Sequence, residues 1–436
     1  VKRVLVLGAG LVSRPLVRHL LGFEDVTLTV GDREPAHAER ILAGHPRGRA
    51  VAIAGDDPAA LAAALSGCDL VVSLLPAPLH PPVAAAAIAH RVPMITTSYV
   101  SAEMRALDAA ARDAGVLVLN EAGLDPGLDH MSAMRAIARL RASGHRVTSF
   151  RSCCGGLPAP GSDDNPWGYK FSWSPRGVLA AARSSARWLD DGRIVDVPAD
   201  ALFRSAAPYV VPGLGAFEVY PNRDALSYVA TYGLDGVSTM FRGTLRLPGW
   251  CETLDAVARL GLLDAEERGW RLGTTFEEFM ASFAIEGTGS VRKRVAARAG
   301  VLGDGAVMER LAWAGLFSDL AIGVTRAAPV DVLCARLEEA MRYRAGERDM
   351  VVLRHELGTA AGAGLTATLV AYGDPAGDHA MARTVSLPAA VAARLILERR
   401  LSLTGVRIPV HPEIYEPVLD ALEGAGIVFE EAWTTP

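Results

Sequence analysis

The chain has 436 residues, half of them hydrophobic and 21% charged, with a formal net charge of −5. That length predicts two or three domains with a large core, and the mild acidity gives no electrostatic case for a nucleic-acid or anionic-membrane partner. The five cysteines (Cys68, Cys153, Cys154, Cys251, Cys334) form no Cys-x-x-Cys pair, which argues against a disulfide framework or a zinc site and for a cytoplasmic protein with no metal.

The apolar opening Val1–Leu7 is too short for a signal peptide and is broken by Gly8-Ala9-Gly10. No run of about 18 apolar, uncharged residues predicts a membrane span. Arg3–Leu7 reads as a strand and Leu11–Leu21 as a helix; Val26–Val30, Ala50–Ala54, Leu70–Leu74, Val92–Thr96 and Val116–Leu119 read as further strands separated by helical segments. Strand and helix alternating in this way predict a doubly wound parallel sheet, because parallel neighbours need crossover connections. The pattern then changes. Arg146–Cys154, Val237–Leu247, Met350–Leu357 and Leu365–Tyr372 are longer, with period-two stretches that suit a mixed sheet, and Glu252 to about Gly323 reads as charged and helical. After Leu387-Pro388 come a helix (Ala389–Leu397), a short strand (Val406–Val410) and a last helix (Tyr415–Glu423).

The predicted fold is therefore α/β: an N-terminal Rossmann doubly wound parallel sheet over 1–124 and an α+β mixed-sheet domain over 125–251 and 324–388. A small helical subdomain would occupy 252–323, and 389–436 would return to the first domain.

Gly8-Ala9-Gly10-Leu11-Val12-Ser13 follows a strand and opens a helix, the context of a dinucleotide fingerprint. Gly8 allows the tight turn, and Gly10 lets backbone N–H groups approach a pyrophosphate. Asp32, at the end of the second strand, could accept from both adenosine ribose hydroxyls, which favours NAD slightly; Arg33 could instead hold the 2′-phosphate of NADP. Asp56 could lie beside the adenine, although Asp57 before Pro58 also reads as an ordinary helix N-cap. Leu75 and Pro76 leave the fourth strand at the edge where open sheets bind ligands, and can line the ribose and nicotinamide or serve only as a strand exit.

Several blocks resemble the saccharopine reductase family, the glutamate-forming saccharopine dehydrogenases. They are Gly8–Pro15, Thr96–Ser101, Asn120–His130, Cys154–Pro160 with Asn165–Ser174, Tyr220–Arg223 and Arg242–Arg246. The resemblance implies oxidation of saccharopine to glutamate and 2-aminoadipate 6-semialdehyde with NAD or NADP, in lysine metabolism, by a homodimer in which the mixed-sheet domain serves as substrate and dimerisation domain. It implies that Ser98, Leu124, Asp125, Pro126 and Ser174 meet the cofactor, and that Ser98, Tyr99, Arg223, Thr244, Leu245 and Arg246 meet the substrate. Arginine forks suit a tricarboxylate. Asp125 is the leading general acid/base, with Tyr99, Cys154 and His130 behind it. Two other readings stand beside this one: a carboxynorspermidine-type imine-reducing enzyme, and a nucleotide-binding regulatory protein without turnover.

Overall fold

The computed structural model describes residues 1–435, in two bodies: Val1–Val147 together with the chain from Thr359 onward, and Thr148–Gly358. In the first body, β1 (Lys2–Leu7), β2 (Val26–Asp32), β3 (Gly48–Ala52), β4 (Leu70–Ser73), β5 (Met94–Thr96) and β6 (Leu117–Leu119) form a parallel sheet in the order β3-β2-β1-β4-β5-β6. Val4–Leu7, Leu70–Val72 and Met94–Ile95 are almost fully buried. Such short, continuous apolar runs are what a sheet covered on both faces selects. The strand order reverses between β1 and β4, which opens a crevice at the carboxyl ends of those strands, where this topology receives ligands.

Helices α1 (Arg14–Leu21), α2 (Pro35–Leu42), α3 (Pro58–Leu65) and α4 (His80–Ala89) make the crossovers that follow β1 to β4. Helix α1 begins at Arg14, three residues later than its periodicity predicts, because Gly8–Ser13 is spent on the turn and Pro15 sits in the first helical turn.

The second body contains β7 (Val147–Pro158), the hairpin β8 (Ala186–Asp190) and β9 (Arg193–Val197), then β10 (Ala207–Val211), β11 (Gly215–Pro221) and β12 (Thr239–Arg246). A two-residue ribbon, β13 (Arg268–Gly269) with β14 (Arg326–Ala327), and β15 (Asp349–Thr359) complete it. The order β10-β11-β12-β7-β15 is mixed: β12 runs parallel to β7 and antiparallel to β11. The helices between Trp250 and Trp313 have no core of their own. Their apolar sides join one cluster with Trp167, Tyr169, Leu179, Leu333 and Leu337, so 252–323 is a layer of this body and not a separate subdomain.

After β15 the chain returns to the first body. There β16 (Gly364–Tyr372) pairs with the terminal strand β18 (Phe429–Thr434), and β17 (Gly405–Arg407) adds to the parallel sheet beside β6. The boundaries at 147/148 and 358/359 replace the expected 124/125 and 388/389. Helix Leu128–Ala142 packs against helix Pro412–Gly424 and β16, and that packing keeps 125–147 with the first body.

The predicted break at Pro388 is also corrected. One helix runs Ala380–Leu397 with Pro388 inside it and packs on α1, β4 and β5. Proline removes one helical hydrogen bond; nearly complete burial of this helix from Ala380 to Ala393 outweighs that loss, and Thr384 and Ser386 bond back to Ala380 and Ala382. By length and composition this helix could span a bilayer, but it carries Arg383 and Arg394 and is 72% buried as a core helix.

Candidate functional site

The turn from β1 into α1 needs its glycines for different reasons. Gly8 has a φ of +98°, and a Cβ there would lie 2.9 Å from the Leu74 carbonyl oxygen. Above Gly10 there is open space: a Cβ would meet nothing within 4 Å. The N–H groups of Gly10, Leu11 and Val12 have no acceptor among the described residues. Leu11 is exposed, while buried Ser13 donates its hydroxyl to the Gly10 carbonyl at 2.7 Å. Unspent N–H groups facing open space at a helix start fit the pyrophosphate of a dinucleotide.

Asp32 is committed to this loop. One carboxylate oxygen accepts from Ala9 N–H at 2.8 Å and the other from Glu34 N–H at 3.0 Å. Burial opposes its charged form, but those N–H groups outweigh burial and hold the carboxyl below the usual range. Arg33 beside it is exposed, and the His37 ring stands 3.6 Å from Asp32 and 3.4 Å from Glu34. The rule that an acid here grips both ribose hydroxyls therefore weakens, and with it the lean to NAD. Asp57 is the N-cap of α3, accepting from Ala59 and Ala60 N–H, and Asp56 is left exposed next to it. Leu75 packs over Gly55, where a Cβ would lie 2.6 Å from its Cδ1, and Pro76 is exposed.

Further along the same edge, Tyr99 donates its hydroxyl to Asp125 Oδ1 at 2.7 Å. Two residues chosen separately as acid/base candidates are thus one hydrogen-bonded pair. The segment carrying Asp125 is fixed tightly. Leu124 and Pro126 are buried, the Asp125–Pro126 peptide is cis, and Gly127, at a φ of +146°, leaves no room for a side chain against Gly123. Behind the pair, Glu121 accepts from Val100 N–H at 2.9 Å and bonds His130 Nε2 at 2.7 Å. His130 is fully buried, so its place is in this scaffold.

Sequence reasoning missed His80. It opens α4, is 2% exposed, and joins Ser73 at the end of β4 (2.9 Å) to Ser98 after β5 (2.8 Å). Burial lowers its pKa to about 4, so the ring is neutral at physiological pH.

In the second body, β12 presents Arg242, Thr244 and Arg246 on one face by its period of two. Arg246 is 5% exposed. Its guanidinium carbon lies 5.1, 5.8 and 5.6 Å from the ring centroids of Tyr169, Tyr220 and Trp250. Among the described residues no carboxylate pairs with it and its Nε has no acceptor; Nη1 donates to the Leu245 carbonyl at 2.8 Å. Glu218 is directly opposite Arg246 in the strand register, yet its carboxylate accepts from Gly249 and Cys251 N–H and caps the next helix. A buried cation in an aromatic box without an anion is a seat for one.

Thr244 lies beside this seat, paired in register with Cys154 of β7, which is buried. Leu245 is fully buried, so its side chain belongs to the core and its carbonyl steadies Arg246. Arg223 is exposed with a φ of +54°, a strained conformation for arginine. Ser174 caps the short helix Pro175–Ala181 by accepting from Gly177 N–H at 3.1 Å, which is a structural task for that hydroxyl. Among the described residues no cluster of three or more His, Cys, Asp or Glu is arranged to hold a metal.

Residues 4–119 match the family model described as Saccharopine dehydrogenase NADP binding domain, and residues 123–427 match Saccharopine dehydrogenase C-terminal domain. The chain is 39% identical over 455 residues to Saccharopine dehydrogenase (NADP(+), L-glutamate-forming) of Saccharomyces cerevisiae, covering 99% of each. It is 36% identical over 442 residues to the mitochondrial alpha-aminoadipic semialdehyde synthase of Bos taurus, covering 98% of this chain and 47% of that protein. The solved structure of apo saccharopine dehydrogenase (L-Glu forming) from Saccharomyces cerevisiae superposes with a TM-score of 0.87 at 36% identity, over the full length of both chains. With a parallel sheet opening on a dinucleotide turn, a mixed sheet carrying a buried arginine that has no carboxylate partner among the described residues, and these matches from end to end, the chain belongs to the saccharopine dehydrogenase family.

Proposed function

We propose that the chain oxidises saccharopine, with NADP and water, to L-glutamate and 2-aminoadipate 6-semialdehyde, reversibly. The observation that carries this reading is Arg246: a desolvated guanidinium with no carboxylate partner among the described residues suits a substrate bearing three carboxylates and not a polyamine. NADP replaces the slight lean to NAD because the relatives are named for NADP and because both Asp32 oxygens already hold backbone N–H groups. Arg33, exposed beside Asp32, is then the cation offered to a 2′-phosphate.

The cofactor, when bound, supplies the hydride acceptor. Asp125, accepting from Tyr99, takes the proton of the secondary amine as the lysine-side carbon gives up its hydride, leaving an imine. Water then attacks the imine carbon. The protons of that water pass to the nitrogen through the Tyr99–Asp125 pair, so that the carbinolamine collapses to aldehyde and glutamate, and the proton first taken from the amine leaves to solvent. Arg246 and Arg223 hold carboxylates, Thr244 and Ser98 donate to them, and Cys154 is a secondary proton donor. A homodimer working in the cytoplasm is part of the same proposal; its five cysteines are unbridged, and light scattering of the purified protein tests the dimer.

The test of function is reduced-cofactor absorbance in the purified protein with saccharopine and either NADP or NAD. Turnover with NADP preferred supports the reading. Flat traces with both cofactors, together with no thermal shift on adding saccharopine, overturn it.

A further inference from the structure

His80, Ser73, Thr96 and Ser98 form a buried chain of uncharged groups at the carboxyl edge of the first sheet, and counting protons along it gives each group a direction. Ser73 is fully buried, and its hydroxyl has one partner among the described residues, His80 Nδ1 at 2.9 Å. The other ring nitrogen, Nε2, faces two oxygens: Ser98 Oγ at 2.8 Å and Thr96 Oγ1 at 3.1 Å.

A neutral imidazole has one N–H and one lone pair. One N–H can be shared between two oxygens, whereas one lone pair cannot accept two hydroxyl protons well. All three close contacts of the ring are met with Ser73 O–H donating to Nδ1 and Nε2–H shared between Ser98 and Thr96, whose Oγ1 also accepts from Ser98 N–H at 3.4 Å. Ser98 Oγ then serves His80 as an acceptor, and its own proton has no acceptor among the described residues. Ser98 is also the partly exposed member of the chain; the other three are buried.

We propose that His80 is a positioning residue that, as the Nε2–H tautomer, makes Ser98 an obligate donor toward a carboxylate oxygen of the substrate. This rests on the reading above that Ser98 meets the substrate. Pro81 and Pro82 stiffen the first turn of α4, and the ring is locked between two strand ends, so its orientation is set before any ligand arrives. Burial, which keeps the ring neutral, prevents a second N–H from forming and reversing Ser73.

Two measurements test this in the full chain. Ring 15N chemical shifts of His80 should report the Nε2–H tautomer at neutral pH; the Nδ1–H tautomer or a doubly protonated ring overturns the proposal. In kinetics, H80F should lower kcat/KM for saccharopine about tenfold, the scale of one lost hydrogen bond to a charged group. NADPH affinity by fluorescence titration should stay unchanged, and H80Q, whose amide can donate in place of Nε2–H, should recover most of the loss.

S98A should lose as much as H80F, and the double variant H80F/S98A no more than S98A alone. Losses that multiply overturn the coupling and leave Ser98 at the substrate. An S98A variant with parental turnover removes Ser98 from the substrate and takes the proposal with it. A loss confined to NADPH binding moves the serine to the cofactor and equally overturns it.

Discussion

Replacing Arg246 by methionine should separate stability from function. The side chain is 5% exposed and its charge has no carboxylate partner among the described residues, so folding must strip the guanidinium of water at a cost of several kcal/mol. Three rings at 5 to 6 Å return about 0.5–1 kcal/mol each, near the outer limit of a cation–π contact. Methionine matches the length of the arginine stem, is flexible enough to fill the box, and carries no charge to desolvate. R246M without ligand should therefore melt at or above the parent, by about 2 °C for each kcal/mol gained in a chain of this size.

Substrate recognition should move the other way. Loss of a charge-assisted fork to a carboxylate is worth about 3 kcal/mol, or roughly a hundredfold in affinity. Saccharopine should raise the melting temperature of the parent by mass action and leave that of R246M unmoved. Differential scanning fluorimetry with and without saccharopine, with calorimetric titration, reads both effects. An R246M protein that melts several degrees low while binding saccharopine like the parent would refute the reasoning, because Arg246 would then be a structural cation.

Three further outcomes follow from the geometry. D125N should retain NADPH binding while kcat falls by about 10² or more, with a smaller loss for Y99F; unchanged turnover in D125N removes the pair from proton transfer. Gly8→Ala, strained at positive φ and crowded by Leu74, should lose about 2 kcal/mol of stability, whereas Gly10→Ala should melt like the parent yet bind NADPH poorly, and normal NADPH affinity in G10A would count against the phosphate seat. His80 has its folded pKa lowered from 6.5 to about 4 by burial; between those values the unfolded chain takes up a proton and the folded one does not, so stability falls as pH drops from about 6.5 to about 4, by about 3 kcal/mol in all. A denaturant series across that range should show this slope in the parent and lack it in H80Q; identical slopes contradict the assignment.

Much of the first body is legible in the sequence because its strands are continuous apolar runs with glycine or proline at their ends, and because Gly8-Ala9-Gly10 occurs where a strand must turn into a helix. The C-terminal helix misleads because Pro388 is locally a breaker, and only the seat against α1, β4 and β5 explains how the helix continues through it. The hairpin β8–β9 and the edge strand β10 are short and largely exposed, with no buried face whose alternation would mark them. Asp32 shows a residue read with the right location and an incomplete role, since its bond to Ala9 spans 23 residues. Tyr99 and Asp125 are recognisable as types, but their 2.7 Å contact is tertiary. His80 sits in a proline-rich segment that resembles a loop. The available clue was hydroxyl residues at the ends of two neighbouring strands, Ser73 and Thr96, with a histidine between them in sequence.

The first body is assembled from the two ends of the chain, with 148–358 contiguous between them. On the ribosome the second body is therefore complete first. The parallel sheet, whose β6 ends at Leu119, must wait until residue 405 for its last strand, Gly405–Arg407, and until residue 380 for the apolar helix that covers α1 and β4. During that interval β6 is an open edge and the part of the sheet that the helix contacts at β4 and β5 lacks that cover, the kind of surface that nascent chains most need shielded. Loss of the last 50 or so residues should therefore be punished chiefly as aggregation of the nucleotide-binding half, even though the glycine turn and its neighbours remain intact in the truncated chain.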